Sequence, residues 1–171
     1  MNFLFKHNVV DFEKHKTNLI DLIYKIPQNP LKTISHTDWN LPETMRREYV
    51  EYIINEKIIE NYLNDFRTWL NPVDCPIDFK IKKLWFQIYR KNDYHPYHTH
   101  GEANFSGVFY INLPDTSLKT QIKLPGNNDL NFEVSEGEII TFPAIGWHKS
   151  PVNTSIDEKI VIAFNLDLES R

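Results

Sequence analysis

The chain has 171 residues, 41% hydrophobic and 25% charged, with a formal net charge of −4. This length suffices for one domain with a real core, and the acidic balance gives no electrostatic reason to expect nucleic acid or an anionic membrane as partner. The single cysteine, Cys75, excludes an intrachain disulfide and a cysteine-only zinc site, which fits a reducing, cytoplasmic setting. No apolar run is long enough to span a bilayer, and the first seven residues lack the apolar core and cleavage site of a signal peptide.

Residues 10–26 carry Phe12, Leu19, Ile20, Leu22 and Ile23 at roughly helical spacing, and Pro27 stops them. Residues 31–41 read as irregular, with Trp39 as a core anchor. The strongest helical pattern spans 42–70. Pro42 suits its first turn, Glu43 suits the positive end of its dipole, and apolar residues recur from Val50 to Leu70 in steps of three and four. Asn71 and Pro72 end it. A helix with one apolar stripe needs something to cover, and a sheet is the expected partner.

After residue 72 the pattern changes to strands. Alternating or β-rich runs are expected at 77–89, 104–113, 119–124, 130–134, 138–142 and 159–168, with turns at 125–128 and 135–137 and a loop at 151–154. Short strands without intervening helices indicate an antiparallel sandwich or barrel. The expected fold is α+β, a double-stranded β-helix, or jelly-roll, with N-terminal helices packed outside. One domain spans 1–171, with a helical part at 1–72 and the β-barrel core at 73–171.

Three of the seven histidines fall within six positions, at His95, His98 and His100. In an extended chain His98 and His100 point the same way. Two imidazoles on one face can grip a metal ion, and His148 supplies a third from beside a later strand. Neutral imidazoles suit Fe(II), Zn(II), Ni(II) or Cu(II) alike. Parity sorts the strands that follow. Asn104, Ser106, Val108 and Tyr110 share one face, and Phe105, Phe109 and Ile111 share the other. Gly101 interrupts this alternation, so it is applied from Asn104 onward. Lys159, Val161, Ala163 and Asn165 share a face opposite Ile160, Ile162 and Phe164. In a barrel that carries a metal, the polar faces turn inward and the apolar faces lie under the helices. An inward Lys159 is costly unless an anion neutralises it, and a carboxylate bound beside the metal would do so.

These residues resemble the 2-oxoglutarate/Fe(II)-dependent oxygenases, in particular a branch found in bacteria and phages. The matching elements are Trp85, His98-Thr99-His100, Ser106-Gly107-Val108-Phe109-Tyr110, Gly137, Phe142-Pro143, His148-Lys149-Ser150-Pro151, and the run from Lys159 to Phe164 and Asn165. The resemblance implies an enzyme that hydroxylates an unidentified small molecule or protein side chain and releases succinate and CO2. It implies Fe(II) on His98, His100 and His148, and 2-oxoglutarate as co-substrate, with Lys159 on its distal carboxylate and Tyr89, Tyr110 and Asn165 nearby. The wider superfamily carries a carboxylate where His100 stands and an arginine where Lys159 stands. The second ligand is therefore His100 or Glu102, with water or His95 behind them. Lysine keeps the charge but loses the bidentate fork.

Two other readings compete. A metal-binding cupin without 2-oxoglutarate would use the same histidines but gives Lys159 no role. A non-catalytic jelly-roll structural protein would hold no metal.

Overall fold

The structure, a computed structural model, describes residues 4–27, 34–70, 77–124 and 128–170. It opens on a strand absent from the sequence-based expectation, β1 (Phe5–Asn8), with Phe5 and His7 buried and Lys6 and Asn8 exposed. Four residues are too few for such an alternation to stand out. The first helix, α1 (Phe12–Tyr24), lies inside the expected range and buries Phe12, Leu19 and Ile23. The stretch expected to be irregular contains a two-residue strand, β2 (His36–Thr37).

The single helix expected over 42–70 is two helices, α2 (Glu43–Asn55) and α3 (Ile58–Leu70). Pro42 is the N-cap of α2 and does not lie within its first turn. Lys57, with φ 57°, takes a left-handed conformation between the two helices. The apparent step from Ile54 to Ile58 misled, because Ile54 is exposed. The buried series runs Tyr49, Ile53, then Ile58, and a gap of five residues falls off the helical period. The break lets α2 pack on α1 while α3 packs on β1 and the strand that follows. The pattern change placed at Asn71 and Pro72 lies outside the described residues, as does Cys75.

The strands then run β3 (Ile77–Tyr89), β4 (His95–His98), β5 (Phe105–Asn112), β6 (Gln121–Leu124), β7 (Asn128–Asp129), β8 (Glu138–Pro143), β9 (Trp147–Ser150) and β10 (Lys159–Ser170). The strand expected at 130–134 does not form. Leu130, Phe132 and Val134 pack on the inner core from irregular backbone, so burial there comes without a ladder. Most of the turn expected at 125–128 lies outside the described residues.

The strands make two antiparallel sheets, one ordered β1-β8-β5-β10-β3-β2 and one ordered β4-β9-β6-β7. This is the expected double-stranded β-helix. The larger sheet is two-faced. Phe109, Ile111, Ile160, Ile162 and Phe164 join Leu19, Ile53, Tyr62 and Phe66 in the core beneath the helices. Each fully buried side chain of this kind contributes on the order of 1.5–3 kcal/mol by area. The opposite face turns Tyr89, Val108, Tyr110 and Val161 toward the second sheet. The parity read from the sequence holds for β5 and β10.

Gly107 pairs with Phe164 across β5 and β10, and a Cβ there would meet the Phe164 ring at 2.1 Å. Replacing Gly107 with Ala therefore overpacks the helix-side core and should cost roughly 1–3 kcal/mol. Adding Phe164→Leu should recover part of the loss. Thermal melts of the single and double variants check this, and an unchanged midpoint for Gly107→Ala contradicts it.

Candidate metal centre

The cluster begins in β4. His98 is the register partner of His148 across β4 and β9, and the ladder is irregular between His95 and His98. The chain then leaves the strand. His100 donates its backbone N–H to the Ala144 carbonyl at 3.0 Å, and a turn follows at Gly101 and Glu102. Strict alternation therefore does not join His98 to β5. The turn still returns the His100 ring to the others. The candidate ligand atoms of His98, His100 and His148 all lie within 4.8 Å of one another. Glu102 is exposed and outside this group, so between the two alternatives the geometry favours His100.

Two of the rings are held by the same local device. His98 Nδ1 lies 2.9 Å from the Pro96 carbonyl, and His148 Nδ1 lies 2.9 Å from the Gly146 carbonyl. A carbonyl can only accept, so each Nδ1 carries the proton and each Nε2 is left with a lone pair. Burial is the main cause that holds all three rings below the usual imidazole range, followed for His148 and His100 by the nearby His98 ring. It takes His148 to about 3 and His100 to about 4, and it lowers His98 as well. At neutral pH the three imidazoles are neutral, as metal ligation requires.

The cluster opens into a cavity of about 360 Å³ between the two sheets. Lys159 lies deep in this cavity, 1% exposed. Its Nζ donates to the Leu118 carbonyl at 2.7 Å and to Ser150 Oγ at 2.8 Å. Both acceptors are neutral, and burial pushes the ammonium down to about 7. Tyr89 is its register partner, and Nζ lies 5.1 Å from the Tyr89 ring and 6.0 Å from the Tyr110 ring. Both phenols are buried, which raises them, Tyr110 to about 12. The Tyr89 hydroxyl donates to Gln87, and the Tyr110 hydroxyl accepts from the Thr120 N–H. Asn165 faces the same cavity but lies six residues further along β10, roughly 20 Å from Lys159 by strand rise. Its side-chain oxygen accepts from Ser106 Oγ at 3.2 Å.

Two participants were misread or missed in the sequence. Trp39 is a half-buried wall of the cavity and not a core anchor. It meets Trp85 edge-on at 4.4 Å, lies 6.3 Å from the His100 ring, and carries the Lys83 ammonium over its face. Ser150 carries no signal of its own in the sequence beyond its place after His148. Its spacing of two from His148 puts both on the inward face of β9, and that parity could have found it.

A sequence-family profile described as Putative 2OG-Fe(II) oxygenase matches residues 83–133. No curated protein matches the sequence. The fold is similar to that of a viral collagen prolyl hydroxylase from Paramecium Bursaria Chlorella virus-1 bound to 2-oxoglutarate, at TM-score 0.65 and 16% identity over 96% of each chain. It is similar to an oxidoreductase of the 2OG-Fe(II) oxygenase family from Burkholderia pseudomallei, at TM-score 0.73 and 12% identity over 96% of this chain and 84% of that one. It is also similar to HygX from Streptomyces hygroscopicus, solved with nickel, 2-oxoglutarate and hygromycin B, at TM-score 0.70 and 8% identity over 96% and 82%. The segment that carries His98 and His100 thus matches the profile of this oxygenase family, and the chain as a whole shares the fold of solved 2OG-Fe(II) oxygenases.

Proposed function

We propose that His98, His100 and His148 hold Fe(II), and that Lys159 binds the distal carboxylate of 2-oxoglutarate. The observation that carries this reading is the buried Lys159 ammonium. Its two partners are neutral, and a buried cation needs an anion. Ser150, which accepts from Lys159, is two residues from His148 on one strand face, roughly 7 Å by strand rise. A five-carbon diacid spans a similar length, roughly 5 Å between its end carbons from bonds of about 1.5 Å, with a carboxylate oxygen beyond each. When bound, iron and 2-oxoglutarate supply oxidation of a substrate C–H bond by dioxygen, with succinate and CO2 as co-products.

The protein's own contribution is positional. The Pro96 and Gly146 carbonyls fix two ligand tautomers, Lys159 orients the co-substrate, and Tyr89 and Tyr110 wall off its charged end. Asn165 is too far along β10 to share that carboxylate and belongs to the substrate side of the cavity. The cupin reading leaves the Lys159 charge uncompensated, and the non-catalytic jelly-roll leaves three neutral imidazoles converging without purpose.

The substrate reading follows from the cavity lining. No acidic residue lines it among the described residues, while Trp39, Trp85, Asn40 and Asn165 do. Such a wall suits an uncharged group with an apolar face and a polar atom for a side-chain amide. No helix among the described residues is long and apolar enough to cross a membrane. With a single cysteine, the inferred setting is cytoplasmic, which cell fractionation would test.

Replacing His148 with Ala should abolish stoichiometric Fe(II) binding under anaerobic titration; parent-like binding would refute the assignment. Replacing Lys159 with Met should weaken 2-oxoglutarate roughly tenfold or more, about 1.4 kcal/mol or above, and leave iron binding intact. The pH dependence has a definite sign. The folded-state value of Lys159 lies near 7, below the ordinary lysine range. Above it the free protein carries a neutral amine, and binding a carboxylate must take up a proton. Affinity for 2-oxoglutarate should therefore fall as pH rises above about 7, and Lys159→Met should lose that slope. The same depression makes the free protein gain stability as pH rises from about 7 toward the unfolded lysine value, because the unfolded chain binds more protons there. In the holoenzyme, peptides with neutral side chains such as prolyl or leucyl should stimulate succinate release more than lysyl or arginyl peptides. Stimulation by the cationic peptides alone would overturn the substrate reading.

A further inference from the structure

The geometry points to His95 as a positioning residue for the metal centre: its Nδ1 accepts from His98 Nδ1–H and so holds the His98 ring with Nε2 toward the other ligands. This rests on reading His98, His100 and His148 as the metal centre, and it adds a fourth histidine that acts through another.

The argument starts in the β4 ladder. His95 pairs with Ser150 and His98 with His148, with a register irregularity between them. Regular alternation would turn residues three apart to opposite faces. The irregularity brings both rings to the cavity, which both line. Their centroids lie 4.2 Å apart at 61°, and their Nδ1 atoms lie 3.0 Å apart. One of those two nitrogens must donate. His98 Nδ1 lies 2.9 Å from the Pro96 carbonyl, whereas His95 Nδ1 lies 3.3 Å from it. The proton therefore sits on His98 Nδ1, shared between the carbonyl and His95 Nδ1, and His95 carries its own proton on Nε2.

Two acceptors on one N–H constrain the ring in two directions. The Pro96 carbonyl alone leaves the imidazole a range of tilts about that bond; a second acceptor from the next ring removes it. His148 does not need this help, because it is 6% exposed and packed against Phe142 at 4.9 Å. His98 is only half-buried, so its orientation depends more on hydrogen bonds. His95 is not a ligand itself, since it falls outside the group whose donor atoms converge, and its Nδ1 is engaged with His98.

The test is Co(II) titration of metal-free protein, read by visible absorption, with parent, His95→Ala and His95→Gln. In His95→Ala, Co(II) affinity should fall roughly tenfold or more, the range seen when an outer partner of a ligand is lost. The absorption band should keep its position and intensity, because the ligand set is unchanged. His95→Gln retains a side-chain acceptor and should restore affinity to within about threefold of the parent. A merely structural role would lower the thermal midpoint of both variants without this split. Parent-like affinity in His95→Ala overturns the proposal and leaves the metal centre standing. A changed band in His95→Ala that Gln does not restore makes His95 a ligand and also overturns it. A parent protein that binds no Co(II) overturns both readings at once.

Discussion

The two-faced strand β10 is the constraint on which the rest depends. It lies between β3 and β5 in the larger sheet, so each side chain from Lys159 to Asn165 is committed to one of two environments. Ile160, Ile162 and Phe164 go under the helices, and Lys159, Val161, Ala163 and Asn165 go to the cavity. A slip of one residue would bury Lys159 in the aliphatic core and put Phe164 across the cavity. Register is thus specified by a penalty on both faces. The same penalty fixes β5 through Gly107 and Phe164.

That register is what makes a buried lysine tolerable. The smaller sheet brings Ser150 and His148 to face β10, and the Leu118 carbonyl closes the deep end. The site is a polar strip in a mostly apolar interior, with Lys159 held on Ser150 and three neutral imidazoles converging nearby, His148 being two residues from Ser150 on β9. Low dielectric strengthens each polar contact there and makes each unpaired one costly. Under the proposed function, a diacid that reaches both groups would compensate the cation.

The histidines show how little backbone regularity their convergence needs. His98 and His148 are register partners, but His100 sits on a turn beyond β4, anchored through the Ala144 carbonyl. What unites the first two is a carbonyl two residues upstream of each, which selects the tautomer. Trp39 and Trp85 then close the His100 side, so the tryptophan wall of the cavity and the histidine cluster share a boundary.

The sequence by itself determined the strand faces, the HxH pair with its later partner, and the inward lysine. Each of these depends on local periodicity, and a period of two survives any arrangement of the strands. The stripe from Tyr62 to Phe66 was legible for the same reason, with a period of 3.6. Tertiary structure alone decided the break at Lys57, because Ile54 looks apolar in the sequence and only packing shows that it is exposed. It decided that Trp39 serves the cavity, since a tryptophan carries no signal of which side of a sheet edge it will cover. It decided the choice of His100 over Glu102 in the converging group, because the turn at Gly101 breaks the parity from which that choice would have been read. It also decided that Asn165 lies far from Lys159, since parity names a face and leaves the position along the strand to the register.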